Sequence, residues 1–172
     1  MFELKDLPSR ETLARFGKLY DNPDVEGLYT WLVWASATDE MLSAFNANLA
    51  SEGLSQTPFF VLLLLKRNPD GLTIGALADG VAVASQTMTR AINKMEAAGL
   101  CTKHPDPDDG RHWIVRLTSG GNTVLSKVLP KHYAWVASFM GHFEKDEREL
   151  LVKLMMKVAP ALKKIRLEAA LG

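Results

Sequence analysis

Between Ser85 and Lys94 lie side chains suited to a nucleic-acid surface: Ser85, Gln86, Thr87, Thr89, Arg90, Asn93 and Lys94. A glutamine can pair bidentately with adenine and an arginine with guanine in the major groove of DNA. Met88, Ala91, Ile92 and Met95 recur at helical spacing through the same stretch, so they face inward and the polar set faces the other way. If that helix enters a major groove, Gln86, Thr87 and Arg90 reach bases, while Thr89, Asn93 and Lys94 lie nearer phosphates. The bland reading is a solvated polar helix face in a domain used only for packing. A second cluster lies in the turn Pro105 to Arg111, where Arg111 suits a cation in a neighbouring minor groove, oriented by Asp109. Its alternative is a surface ion pair that shapes the turn. Aspartates at 106, 108 and 109 oppose phosphate unless they are turned away or paired.

The elements around these residues follow from local signals. Thr73 is an N-cap type, and apolar residues at 74, 77, 78 and 81 predict a short helix broken at Gly80. A second helix opens near Ser85 and ends at Gly99, a C-cap glycine. Cys101 to His104 follows as a strand, then the Pro/Asp/Gly turn. Trp113, Val115 and Leu117 then alternate with His112, Ile114 and Arg116, the period of a half-buried strand. Two helices and a hairpin in this order form a winged helix-turn-helix.

Leu77-Ala78-Asp79, Thr87-Met88-Thr89-Arg90, Glu96-Ala97-Ala98-Gly99-Leu100, Asp106-Pro107-Asp108-Asp109-Gly110-Arg111 and Leu117-Thr118-Ser119-Gly120-Gly121 together resemble the MarR family of bacterial transcriptional regulators. Each piece is weak alone; their order and spacing make them specific, and the resemblance runs on upstream through Gly53 to Pro58. Two departures stand out. Ala84 occupies the N-cap position where the family usually has a small polar residue, so the helix starts at Ala84 or one residue later. The wing reads Asp109-Gly110-Arg111 where many members have Asp-Arg-Arg, so one of two wing arginines is absent. The resemblance implies a triangular homodimer on a double-stranded DNA operator. It also implies a small aromatic effector between the dimer layer and the winged domain; Trp31, Trp34, Phe60, His132 and Trp135, with Phe59 and Tyr133, lie in the elements that would surround it. Aromatics at such spacing also read as plain core.

The chain has 172 residues, 47% of them hydrophobic, enough for a real core and too apolar for disorder. No apolar run approaches the roughly 20 residues of a membrane span. The first residues lack the pattern of a signal peptide and the single cysteine excludes an internal disulfide, so a cytoplasmic location is expected. Net charge is zero, but residues 1–57 carry 4 Lys/Arg against 9 Asp/Glu and residues 119–172 carry 9 against 5. The stretch 72–118 is balanced at 5 against 5, so DNA binding is argued from placement and not from charge.

Residues 8–20 predict a short helix bearing Leu13, Phe16, Leu19 and Tyr20. A long one starts at Val25 with Leu28, Trp31, Leu32, Ala35, Thr38, Met41, Leu42, Phe45 and Leu49 on one stripe, stopped by Gly53. Ser55-Gln56-Thr57-Pro58 opens another helix, apolar all round from Phe59 to Leu65 and expected to be buried between layers. A long helix beyond Gly121, kinked at Pro130, and a last helix from Lys145, kinked at Pro160, complete the expectation. The fold class is mostly α with a small β-hairpin wing. Residues 1–53 and 121–172 form N- and C-terminal dimerisation helices around a winged helix-turn-helix domain at 54–120.

Other chemistries lack support. His104, His112, His132 and His142 form no close-spaced ligand pair, and the Asp106 run fails the calcium-loop pattern, so no metal is expected. No nucleophile elbow, phosphate-cradling glycine loop or paired catalytic carboxylate is present; neither enzymatic activity nor a cofactor is expected. Cys101 reads as a buried structural thiol more readily than as a redox sensor. The expectation is a repressor released from a pseudo-palindromic operator by a small effector. The alternative is a winged-helix protein-association module without DNA binding.

Overall fold

The computed structural model describes Phe2, residues 4–107 and residues 113–171. In chain order the elements are α1 (Arg10–Leu19), α2 (Val25–Ser51), α3 (Gln56–Arg67), β1 (Leu72–Thr73), α4 (Ile74–Val81), α5 (Ser85–Ala97), β2 (Cys101–Pro105), β3 (Trp113–Leu117), α6 (Ser119–Met140), α7 (Lys145–Met155) and α8 (Val158–Leu171). Two compact units, Met1–Val128 and Leu129–Gly172, divide the chain, and α6 begins in the first and ends in the second.

Capping groups set most helix starts. The Asp24 carboxylate accepts the Gly27 N–H at 2.8 Å and the Thr73 hydroxyl accepts that of Ala76 at 3.1 Å. Gly53 (φ +75°) and Gly99 (φ +71°) close α2 and α5 in the left-handed region that suits glycine. The break expected at Gly80 is displaced: α4 continues through Gly80 to Val81, and Ala82 takes the left-handed conformation (φ 56°, ψ 45°). Val83 N–H to the Ala78 carbonyl (3.0 Å) and Ala82 N–H to the Asp79 carbonyl (3.2 Å) complete a Schellman closure. Glycine is needed at 80 for packing, since a Cβ there would stand 2.9 Å from Cδ1 of Leu64 in α3. Ala82→Gly removes the steric cost of the left-handed residue, of order 1–2 kcal/mol, and adds part of it back as unfolded-chain entropy. The variant should therefore be more stable by about 0.5–1 kcal/mol in urea titration.

The core of the first unit is apolar throughout. Phe59, Val61, Leu62 and Leu65 of α3 are buried with Leu77 and Ala78 of α4 and with Met88, Ile92 and Met95 of α5. Cys101, Val115, Leu125 and Val128 close it from the sheet and α6. The hairpin gains a third strand, in the order β1-β3-β2, both pairings antiparallel. Gly71 (φ +94°) allows the close approach of β1, since a Cβ would meet the Val115 carbonyl at 2.7 Å.

Where β3 passes into α6, Thr118 holds the junction. Its hydroxyl donates to the Gly99 carbonyl at 2.6 Å and accepts from Gly121 N–H at 3.0 Å, while its own N–H reaches the Leu100 carbonyl at 3.3 Å. Gly121 is buried there, and a Cβ on it would lie 2.1 Å from the Leu100 carbonyl oxygen.

Several burial expectations change within the single chain. Of the apolar face of α1 only Leu13 is buried, with Phe16, Leu19 and Tyr20 exposed, because α1 packs on α2 through one edge only. α2 buries only Leu32 and Leu49 of its stripe. α3 is not covered all round: Phe60 is 38% exposed, on the side away from α4 and α5. Trp113, expected inward, is exposed because it pairs with Pro105 at the far end of the hairpin.

In the second unit α6 runs on through Pro130. The expected kink at Pro160 is instead a break between α7 and α8. Proline has no N–H for the Met156 carbonyl, and it sits in the first turn of the new helix. None of the residues of α7 is buried.

Candidate nucleic-acid interface

α5 is amphipathic and its two faces are sharply divided. Met88 and Ile92 are fully buried and Met95 nearly so, while Ser85, Gln86, Thr87, Thr89, Arg90, Asn93 and Lys94 are all exposed. The structure therefore brings these seven together on one helix surface. Ala84 is the N-cap and offers no side-chain acceptor, so the helix begins at Ser85. The first-turn N–H groups at this end are left without a side-chain cap, a partial positive charge at the end of the polar face. Asp109 and Arg111 lie outside the described residues.

Two members of the set are engaged within the fold. The Thr89 hydroxyl donates back to the Ser85 carbonyl at 2.9 Å. The Asn93 amide oxygen accepts from Lys103 Nζ at 2.7 Å, which leaves its NH2 group to face outward. Lys103 also pairs with Glu96, Nζ to Oε2 at 2.9 Å, and its backbone N–H donates to Oε1 at 3.0 Å. The Lys103 side chain, and then its backbone N–H, hold the Glu96 carboxyl below its ordinary range. Asn93, Glu96 and Lys103 thus strap α5 to the wing strand β2. The sequence reading missed Lys103, yet a signal existed. Alternation from buried Cys101 puts Lys103 on the inner side of the strand, where an ammonium needs a carboxylate partner.

Cys101 is 1% exposed, its Sγ 3.9 Å from the Ile92 carbonyl. Burial first, and the Glu96 charge second, push the thiol up to about 11 from 9.0. Such a group is protonated in the folded state where the unfolded chain has begun to ionise. Its contribution is full below pH 9 and is lost as pH rises toward about 11. Cys101→Ser should lower stability by about 1–3 kcal/mol by burying a hydroxyl. It should also flatten the loss between pH 9 and 10.5 seen in the parent's urea midpoints, and leave any response to peroxide unchanged.

A groove of about 460 Å³ runs between residues 53–58 and α5. Thr87, Arg90 and Lys94 of the polar face line one side of it. None of the five aromatic residues expected around an effector lines it. Trp31 (55% exposed) meets the Phe2 ring edge-on at 5.8 Å, Trp34 is 39% exposed, and Phe60 packs on Phe45 and Phe59. In the second unit His132 stacks on Trp135 with centroids 6.3 Å apart, and desolvation lowers the His132 pKa.

A helix-turn-helix carried by a three-stranded winged sheet, with the polar face of its second helix presented outward, defines a winged-helix DNA-binding class. The MarR family profile matches residues 54–113, and the chain belongs to that family of transcriptional regulators. The regulator YkoM of Bacillus subtilis is 32% identical over 106 residues, covering 61% of this chain and 68% of YkoM. The repressor YetL of the same organism is 26% identical over 154 residues, 89% of this chain and 92% of YetL. The crystal structure of AbsC, a MarR family regulator from Streptomyces coelicolor, superposes with a TM-score of 0.72 at 22% identity, over 78% of this chain and 93% of AbsC.

Proposed function

We propose that the chain is a homodimeric cytoplasmic repressor of transcription that binds a pseudo-palindromic operator and is released from it by a small-molecule effector. The observation that carries the reading is the outward polar face of α5, with Gln86, Thr87 and Arg90 exposed opposite a fully buried apolar face. In this reading Gln86, Thr87 and Arg90 address base edges, and Ser85, Thr89, Asn93 and Lys94 address phosphates. Arg111, oriented by Asp109, enters the adjacent minor groove. Among chains of this fold, the repressor CouR was solved on a 23-mer DNA duplex and PcaV with its natural ligand. Those facts belong to CouR and PcaV and lend support here only through the shared fold.

Electrophoretic shifts of the duplex upstream of the protein's own gene, at several salt concentrations, test DNA binding. A linear fall of log K with log salt is expected. No shift at low salt would leave the protein-association alternative.

Dimerisation through residues 1–53 and 121–172 is supported by the apolar surface left open there. Tyr20 is 75% exposed, and Leu150, Leu154, Leu162 and Ile165 between 45% and 59%. Soluble monomers rarely leave such contiguous surface uncovered. Sedimentation should give a species of twice 19.0 kDa, and deletion of 150–172 should yield aggregated or unfolded protein. A soluble folded monomer from that truncation would exclude the arrangement.

A further inference from the structure

We infer that the groove between residues 53–58 and α5 binds a small organic anion, a carboxylate on a compact apolar body, and that its occupant competes with DNA for the same side chains. The competition rests on the DNA-binding reading above; the binding itself does not. At about 460 Å³ the groove falls within the usual range of small-molecule sites, roughly 300–1,000 Å³. Leu54, Pro58, Ala91, Met95 and Leu100 give it apolar walls. Arg90 and Lys94 supply two cations, and no acidic residue lines it. Among the described residues neither cation forms an ion pair. Ser55 contributes a hydroxyl that caps nothing, although it stands at the N-cap of α3.

This donor set selects a charge type. A cationic or zwitterionic ligand would meet two like charges with no carboxylate to receive it. A neutral apolar one would leave Arg90 and Lys94 facing its surface. A carboxylate takes the guanidinium fork bidentately and the ammonium as a second donor, while its body covers the apolar walls. Thr87, Arg90 and Lys94 then cannot serve both ligand and duplex. Occupancy raises the apparent Kd for DNA by the factor one plus ligand concentration over ligand Kd, without a conformational change.

The test uses benzoate as probe and benzamide as its uncharged isostere, titrated into the full 15N-labelled chain without DNA. Benzoate should shift the amides of residues 53–57 and 87–98 saturably. Benzamide should bind about tenfold more weakly, as expected for one lost charge-assisted contact of about 1.4 kcal/mol. Lys94→Gln keeps the stem, is exposed and should fold. It should weaken benzoate about tenfold and leave benzamide unchanged, and the bulky Ala98→Phe at the rim should weaken both. No saturable shift, shifts confined to the aromatic residues of α2 or α6, equal binding of benzamide, or indifference to Lys94→Gln would each overturn the site. With DNA added, benzoate at 100 times its Kd should raise the apparent Kd of the operator about 100-fold. Benzoate binding in the groove of a protein that binds no duplex would remove the regulator reading and leave the site standing. Full DNA affinity with the groove saturated would remove the competition.

Discussion

Arg90→Ala should weaken binding to the cognate operator by about 1–3 kcal/mol and cost distinctly less on a random duplex, narrowing the ratio between the two. Arg90 is exposed on α5, and no described residue neutralises it. Its guanidinium is therefore available for the bidentate contact that guanine offers in the major groove. The loss divides into a specific part, present only on the operator, and an electrostatic part shared by every duplex. Fluorescence anisotropy on operator and random DNA at several salt concentrations separates them, because only the shared part changes the salt slope. The fold should survive, since the buried side of α5 is untouched. Equal losses on both duplexes would make Arg90 a phosphate contact, and no loss on either would mean that another surface meets DNA.

The largest effect on stability is expected from Phe59→Ala, a loss of about 3–5 kcal/mol. Phe59 is 0% exposed, and its ring lies 6.1 Å from Phe45 of α2 and 5.4 Å from Phe60. It is the side chain through which α3 fills the space under α2, so truncation leaves a cavity with walls from two helices. Against a typical total of about 5–15 kcal/mol such a loss is severe. For a chain of this length it should appear as a melting temperature lower by roughly 6–20 °C in calorimetry. Phe60→Ala, on the exposed side, should cost clearly less in a chain whose α3 is open to water. A cost as large as that of Phe59 would show that a partner covers Phe60.

Much of this was readable before any coordinates. α5 was legible because its apolar residues keep a 3.6-residue period while the intervening ones are polar throughout, and both halves of that pattern proved real. The burial of Cys101 was legible from the strand that carries it. What escaped was set by tertiary contact. Nothing local distinguishes Gly80 as a packing glycine from a helix stop; that depends on Leu64, in another helix. Ala82 accepts a left-handed conformation only because the turn between α4 and α5 demands it. β1 has two residues, too few to show a period, and exists through its pairing with Val115 and Ile114. The Lys103–Glu96 pair needed the strand's inner side to be set against the last turn of α5. The apolar excess of the two ends was plain in composition, while the burial within one chain stops at a few residues such as Leu13, Leu32 and Leu49.

The bond from the Thr118 hydroxyl to the Gly99 carbonyl spans 19 residues and ties the exit of the wing to its entrance. In polymer terms the hairpin is a loop whose ends are pinned. The free energy of closing such a loop grows only with the logarithm of its length, about 0.6 kcal/mol for each doubling. The strand pairing from Cys101↔Leu117 to Pro105↔Trp113 supplies the rigid stem, so residues between 105 and 113 can lengthen or shorten without loosening the seat of α6. The reach of the wing is thereby uncoupled from the stability of the domain, and selection can adjust the one at little cost to the other.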